Sequence, residues 1–182
     1  MEPAILANLF LFLGALGVNI GMGGSDHSAD DSHGNDDPLY NPQNYAHAHD
    51  GTDGNDTVTS DSDNQAWFLH DGNDDLTASS ASDYANLGAG DDHAVMGAGN
   101  DIGLGGAGND SYRVDDQGDV LIEAAGGGED SVQSSVSYAL GSELEHLTLV
   151  GAVALNATGN DGNNQLTGNA NDNSLDGGAG AD

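Results

Sequence analysis

Two kinds of residue are almost missing from this 182-residue chain. Cysteine is absent, and Arg113 is the single residue of the lysine and arginine class. Without cysteine the chain has neither disulfides nor thiolate metal sites. Against that one base stand 31 acidic residues, which give a formal net charge of −30. Proteins that bind nucleic acid neutralise phosphates with lysine and arginine, so nucleic acid is excluded as a partner.

Apolar residues and catalytic signatures are also scarce. Only 36% of the residues are apolar, too few for a conventional core at this length. The zinc-protease motif H-E-x-x-H and the nucleophile-elbow motif G-x-S-x-G do not occur. We therefore predict that the chain is not an enzyme, and that it is largely disordered without a counter-ion.

Residues 51–113 repeat one nine-residue pattern through seven rows. The rows read GTDGNDTVT, SDSDNQAWF, LHDGNDDLT, ASSASDYAN, LGAGDDHAV, MGAGNDIGL and GGAGNDSYR. Position 4 is glycine in five rows, at Gly54, Gly72, Gly90, Gly99 and Gly108. Position 6 is aspartate in six rows, at Asp56, Asp74, Asp83, Asp92, Asp101 and Asp110. A fixed period of this length indicates stacked structural units, and acids spaced by glycines indicate a polyvalent cation as partner.

The rows resemble the hemolysin-type calcium-binding repeat, the RTX nonapeptide G-G-x-G-x-D-x-U-x. The resemblance covers about residues 51–182 and is most specific in the odd-numbered rows. It implies an all-β fold, a parallel β-roll or β-helix solenoid that binds calcium. It further implies a bacterial protein that is exported unfolded by type I secretion and folds in calcium outside the cell. The expected location is therefore extracellular, secreted or on the cell surface.

The row pattern itself predicts the geometry of the roll. Positions 7–9 make a very short strand with an inward middle residue, and the glycine-rich positions 1–6 make a turn. Two rows then complete one coil, so rows two apart lie above one another. The predicted inward residues are Val58, Leu76, Ala94 and Tyr112 on one sheet and Trp67, Ala85 and Gly103 on the other. This core is too thin to order the roll by burial alone.

Stacked carboxylates predict where the cations bind. Rows ~4.8 Å apart bring equivalent aspartates to roughly 5 Å, where two charges repel by about 3 kcal/mol at an effective dielectric near 20. A calcium ion between the two carboxylates turns this repulsion into attraction. Calcium also accepts more oxygen ligands than magnesium and tolerates less regular coordination geometry. We expect three Ca²⁺ sites on the odd-row ladder, at Asp56/Asp74, Asp74/Asp92 and Asp92/Asp110, and a weaker fourth at Asp83/Asp101. Carbonyls of the loops complete each shell: Gly51, Asp53, Gly54, Asp71, Gly72, Ala89, Gly90, Gly97, Gly99, Gly105, Ala107 and Gly108.

The remaining segments are predicted from composition. Residues 1–24 are apolar, with a signal peptide, a membrane anchor and a packed helix as open alternatives. Residues 25–50 read as a flexible acidic linker, whose His47 and His49 lack a third metal ligand nearby. Residues 114–158 resemble the spacer between RTX blocks and should extend the solenoid through longer coils. Residues 159–182 form a second array that stops within a row, as in part of a longer protein; its Asn164 and Asn173 should stack but bind calcium poorly.

Three functions are compatible with these features. The leading one is a calcium-binding module that folds when calcium binds, since folding and binding would then be one free-energy event. The second is a structural or adhesive surface solenoid anchored by residues 1–24, which calcium only stiffens. The third is an accessory region of an enzyme whose catalytic domain lies outside this chain.

Overall fold

The computed structural model describes residues 38–60 and 62–182. Residues Pro42–Asp182 form one compact unit. No helix occurs among the described residues, which instead form fifteen short strands. These strands are β1 (His47–Asp50), β2 (Thr57–Thr59), β3 (Gln65–Phe68), β4 (Asp75–Thr77), β5 (Tyr84–Ala89), β6 (His93–Val95), β7 (Ile102–Ala107), β8 (Ser111–Val114), β9 (Val120–Ile122), β10 (Ser131–Ser134), β11 (Tyr138–Ala139), β12 (His146–Leu149), β13 (Asn156–Thr158), β14 (Gln165–Thr167) and β15 (Ser174–Asp176).

The strands form three parallel sheets. Sheet A has the order β1-β3-β5-β7-β9, sheet B has the order β14-β12-β10-β8-β6-β4-β2, and sheet C has the order β11-β13-β15. Strands that neighbour each other in a sheet are therefore not neighbours in the chain, since the chain alternates between sheets. This is the predicted all-β solenoid, in which two nonapeptide rows complete one coil.

The register of the repeat region agrees with the predicted inward positions. In sheet B, Val58 pairs with Leu76, Leu76 with Ala94, and Ala94 with Tyr112. In sheet A, Trp67 pairs with Ala85 and Ala85 with Gly103. Val58 and Trp67 are partly buried, and the other inward side chains are fully or almost fully buried.

The core continues through the predicted spacer. Val132, Tyr138, Leu147 and Leu149 join the same buried cluster as Leu76 and Tyr112. Residues 114–158 thus extend the solenoid, as predicted, but their coils are not uniformly longer. One coil takes 20 residues, because a turn at 124–126 adds two, and the next takes only 15.

One boundary differs from the sequence-based expectations. The strand β1 lies in the predicted linker 25–50 and pairs in parallel with β3, so the roll begins at His47 rather than at Gly51. The pairing is favoured by His49, whose ring stacks on Trp67 with centroids 4.2 Å apart. The outward side of sheet A is also more apolar than a solvated face, with Ala66, Phe68 and Tyr84 buried.

The predictions for residues 1–24 fall outside the described residues. Within residues 38–60 and 62–182, no helix has the length and apolar character that crossing a bilayer requires.

Candidate metal centre

The aspartates at position 6 of the odd rows form a continuous hydrogen-bonded ladder along the start of the strands in sheet B. Oδ1 of Asp74 accepts the backbone N–H of Asp56 at 2.8 Å, and Oδ1 of Asp92 accepts the N–H of Asp74 at 2.7 Å. Oδ1 of Asp110 accepts the N–H of Asp92 at 2.8 Å. Each carboxylate therefore points toward the coil before it, as the predicted stacking requires.

This sheet-B ladder is longer than the sequence analysis predicted. Oδ1 of Asp130 accepts the N–H of Asp110 at 2.7 Å, and Oε2 of Glu145 accepts the N–H of Asp130 at 2.7 Å. The sequence does contain a signal for Asp130, because residues 125–132 (AGGGEDSV) resemble a row with Asp130 at position 6. The changed coil length displaces this row from the nine-residue register. Glu145 had no such signal in the sequence, because it is a glutamate and lies only 15 residues after Asp130 instead of 18. Its longer side chain nevertheless reaches the ladder.

A second ladder, the sheet-A ladder, runs through the even rows. Oδ1 of Asp83 accepts the N–H of Gln65 at 2.6 Å, and Oδ1 of Asp101 accepts the N–H of Asp83 at 2.7 Å. Asp119 continues it by accepting the N–H of Asp101 at 3.1 Å. Counting nine residues on from Asp110 finds Asp119, but its row has Gln117 in place of the glycine at position 4 and was therefore missed.

The second carboxylate oxygen, Oδ2, accepts hydrogen bonds in the first aspartate of each ladder but not in the aspartates of the interior. At the start, Oδ2 of Asp56 accepts the backbone N–H of Thr52 at 2.6 Å, and Oδ2 of Asp83 accepts the N–H of Ser79 at 2.8 Å and its hydroxyl at 2.7 Å. In the interior, Oδ2 is buried and receives no hydrogen bond from the described residues. The aspartates with this unsatisfied oxygen are Asp74, Asp92, Asp101, Asp110 and Asp130.

Burial disfavours the charged form of these interior carboxylates. It raises the pKa of Asp92 to about 7, and the negative charges of Asp110 and Asp74 add to that rise. It raises the pKa of Asp101 to about 8 and that of Asp110 to about 6, again with help from neighbouring aspartates. The backbone N–H that each accepts lowers its pKa only in part. A buried oxygen with no donor is stable when it is protonated or when a cation lies against it.

The position-4 glycines let the loops stack closely. Gly72, Gly90, Gly99 and Gly108 all have positive φ, between 127° and 139°. A Cβ on Gly90 would also collide with the carbonyl of Gly72, and a Cβ on Gly108 with the carbonyl of Gly90. The carbonyls of Gly72 and Gly90 therefore face the next coil with no side chain between them.

The other carbonyls predicted as calcium ligands differ in how many hydrogen bonds they already accept. The carbonyls of Ala89 and Ala107 already accept the N–H groups of Gly72 at 2.8 Å and Gly90 at 2.7 Å, which leaves each one lone pair. The carbonyl of Gly54 accepts the hydroxyl of Thr52 at 3.0 Å. Asp53 is exposed, Asp71 makes an isolated bridge to Ala89, and Gly97 lies against the carbonyl of Ser79.

Position-1 glycines leave space directly beside the ladder carboxylates. A Cβ on Gly51 would lie 2.6 Å from Oδ2 of Asp56, and one on Gly105 would collide with Oδ2 of Asp110. Beside Gly105, Glu123 joins Asp110 and Asp130, and one oxygen of each carboxylate lies within 4.8 Å of the others. Burial raises the pKa of Glu123 to about 7. The nonapeptide pattern did not indicate Glu123, because glycine or leucine stands at the equivalent position 1 of the odd-numbered rows.

The second array replaces the carboxylates with amides, whose side chains hydrogen-bond to the backbone. Oδ1 of Asn164 accepts the N–H of Asn160 at 2.7 Å, while its Nδ2 donates to the carbonyl of Leu144 at 3.0 Å. Nδ2 of Asn173 donates to the carbonyl of Leu155 at 3.0 Å. The rows themselves stack as predicted, since β14 pairs with β12 and β15 pairs with β13; that they bind calcium poorly stays a prediction.

The donors gathered along both ladders are all oxygens: carboxylates from position 6 and carbonyls from the glycine-rich turns. Stacked, buried aspartates and the group Asp110, Glu123 and Asp130 can hold metal ions, and an oxygen-only donor set suits hard divalent cations. Neither the models of protein families, nor the curated proteins, nor the solved structures with which the chain was compared include a match.

Proposed function

We propose that this chain is a calcium-binding β-roll of the RTX kind, whose repeat region acquires its structure when calcium binds between successive coils. In this proposal the aspartates of the sheet-B ladder supply the charged ligands. The calcium ions lie between four pairs of aspartates: Asp56/Asp74, Asp74/Asp92, Asp92/Asp110 and Asp110/Asp130. The Asp83/Asp101 pair of the sheet-A ladder stays weaker, and the Asp56/Asp74 pair is weakened in the same way, because Oδ2 of Asp83 and Oδ2 of Asp56 already accept hydrogen bonds from Ser79 and Thr52.

One observation carries the proposal. Five aspartates have an oxygen that is buried and accepts no hydrogen bond from the described residues, and all five lie in the two ladders. An unsatisfied buried acceptor costs roughly 1–3 kcal/mol, and more when it is charged. Five such costs sum to roughly 5–15 kcal/mol, as much as the whole stability of a typical domain, unless protonation or a counter-charge removes them.

Calcium fits the ladders better than magnesium does. Magnesium needs a nearly ideal octahedron and retains its waters, whereas calcium accepts six to eight oxygens at about 2.3–2.6 Å in flexible geometry. The ladder carboxylates have at most one free oxygen each, and the remaining ligands must come from turn carbonyls in fixed positions. A larger, less demanding cation is therefore favoured.

Circular dichroism of the full chain during a calcium titration tests the proposal. We expect little β structure in EGTA and a cooperative gain of β structure with calcium, but not with the same concentration of magnesium. A chain that is equally β-rich in EGTA and in calcium would contradict calcium-dependent folding.

The alternative is a structural surface solenoid that calcium only stiffens. Two features favour it for residues 131–182: the core continues through Val132, Leu147 and Leu149, and the amide side chains of the second array hydrogen-bond to backbone carbonyls. The same titration separates the two, because a structural solenoid keeps its β structure in EGTA. In either case we propose a non-catalytic role outside the cell, where calcium concentrations suit such sites.

A further inference from the structure

Glu123 enters the interior of the roll at a position where other coils have an apolar residue. It follows β9 two residues after Leu121, which is 5% exposed and belongs to the core, so both side chains point inward. Glu123 stacks on Gly105 at position 1 of the loop. The two preceding coils have Leu69 and Leu87 there, and both are fully buried.

The glycine beneath Glu123 leaves the space that its carboxylate needs. A Cβ on Gly105 would collide with three groups at once: Oδ2 of Asp110, Oε1 of Glu123 and the hydroxyl of Tyr112. Three polar groups thus converge on one point beside a residue without a side chain: two come from the start of β8 and one from the segment after β9.

The Glu123 carboxylate is held in place by donors that come from outside the ladder. The hydroxyl of Tyr112 donates to Oε1, and the backbone N–H of Gly106 donates to Oε2 at 3.0 Å. Tyr112 is itself 2% exposed and Glu123 is partly buried, and the two hydrogen bonds together fix the orientation of the Glu123 carboxylate. The Oδ2 atoms of Asp110 and Asp130 are buried beside it and receive no hydrogen bond from the described residues.

We infer that Asp110, Glu123 and Asp130 form a three-carboxylate cation site that differs from the two-carboxylate rungs and is the first to fill with calcium. The inference rests on the proposed calcium-binding function and deepens it. Calcium affinity rises with the charge of the ligand set and with the rigidity of the site, and this rung exceeds the others in both. Filling it first would start the ordering of the roll at the junction between the repeat region and the spacer.

Calcium titration of the full chain by calorimetry tests this order. In the unaltered chain we expect one tight site followed by weaker ones. Glu123→Gln should lower the affinity of the tight site by at least about tenfold, the lower end of what losing a supporting group costs at a metal site. The matched control is Glu129→Gln, which removes the same charge beside Asp130 from a side chain that is 75% exposed, and it should retain the tight site.

Each outcome of the titration has a distinct meaning. If the unaltered chain binds no calcium, the proposed function fails. If it binds calcium but Glu123→Gln leaves the tight site unchanged, the three-carboxylate site is wrong while the calcium-binding function stands. Equal losses from Glu123→Gln and Glu129→Gln would also overturn the site, since general charge would then explain the effect.

Terbium luminescence provides a second readout that does not depend on the Glu123 variant folding. Terbium(III) shares calcium's preference for oxygen ligands and emits when a nearby aromatic ring is excited. The first equivalent added to the unaltered chain should show a tyrosine excitation spectrum, which Tyr112→Phe should abolish. A first equivalent that is sensitised through Trp67, or that is unaffected by Tyr112→Phe, would place the tightest site elsewhere and refute the inference.

Discussion

Replacing Asp92 with asparagine should allow the coils on either side of it to fold without calcium between them. Asp92 lies in the middle of the sheet-B ladder, where its Oδ1 accepts the N–H of Asp74 and its Oδ2 has no donor among the described residues. The second array shows an amide at the same position of the row: Oδ1 of Asn164 accepts the N–H of Asn160 in its own loop, and Nδ2 donates to the carbonyl of Leu144 in the neighbouring coil.

The size of the effect follows from the pKa of Asp92. Burial and the neighbouring aspartates raise it from 3.8 to about 7. Each pKa unit corresponds to about 1.4 kcal/mol, so ionising Asp92 in the folded chain costs roughly 4 kcal/mol. Asparagine removes that cost, which changes the folding equilibrium in chelator by about a thousandfold at pH 7.5 or above.

Circular dichroism in EGTA and calcium stoichiometry in parallel measure the two consequences. Asp92→Asn should contain more β structure than the unaltered chain in EGTA, and it should bind about two fewer calcium ions, because Asp92 belongs to two rungs. The matched control is Asp91→Asn, an exposed residue whose place in other rows is taken by Asn55, Asn73 and Asn109. If Asp92→Asn is no more ordered in EGTA than Asp91→Asn, the reasoning about buried charge is wrong.

Three further predictions follow from the ladders. Calorimetry should show that Asp74→Ala removes two calcium sites and Asp56→Ala only one, because Asp56 ends the ladder; equal losses would contradict the stacking. In EGTA, β structure should increase as the pH falls from 8 toward 5. The pKa values of Asp92 and Asp101 are raised in the folded chain from 3.8 to about 7 and about 8, so protonation of these carboxyls favours folding. This stabilisation is lost as the pH rises through 7 and 8. A flat pH profile in circular dichroism would refute this. Gly105→Ala should abolish the tightest calcium site while the weaker sites remain, because its Cβ occupies the space beside Oδ2 of Asp110.

The nonapeptide pattern by itself determined the coil, the alternation between two sheets and the inward residue at position 8 of each row. It did not indicate that the position-1 residues Leu69, Leu87 and Met96 are also buried in the core. A period of nine with glycine at position 4 and aspartate at position 6 is local information, since it states which residues turn and which extend. The stacking of Asp56, Asp74, Asp92 and Asp110 follows from two rows per coil and required no further knowledge of the fold.

Only the tertiary structure decided which carboxylates lack a donor and which residues outside the pattern reach the ladders. Asp83 and Asp101 look alike in the sequence, yet Ser79 satisfies Asp83 and no described residue donates to Oδ2 of Asp101. Glu123 meets Asp110 and Asp130 only because an inward strand position, the missing side chain of Gly105 and a 20-residue coil coincide. Such contacts depend on how coils of unequal length stack in three dimensions, and a nine-residue period carries no information about that.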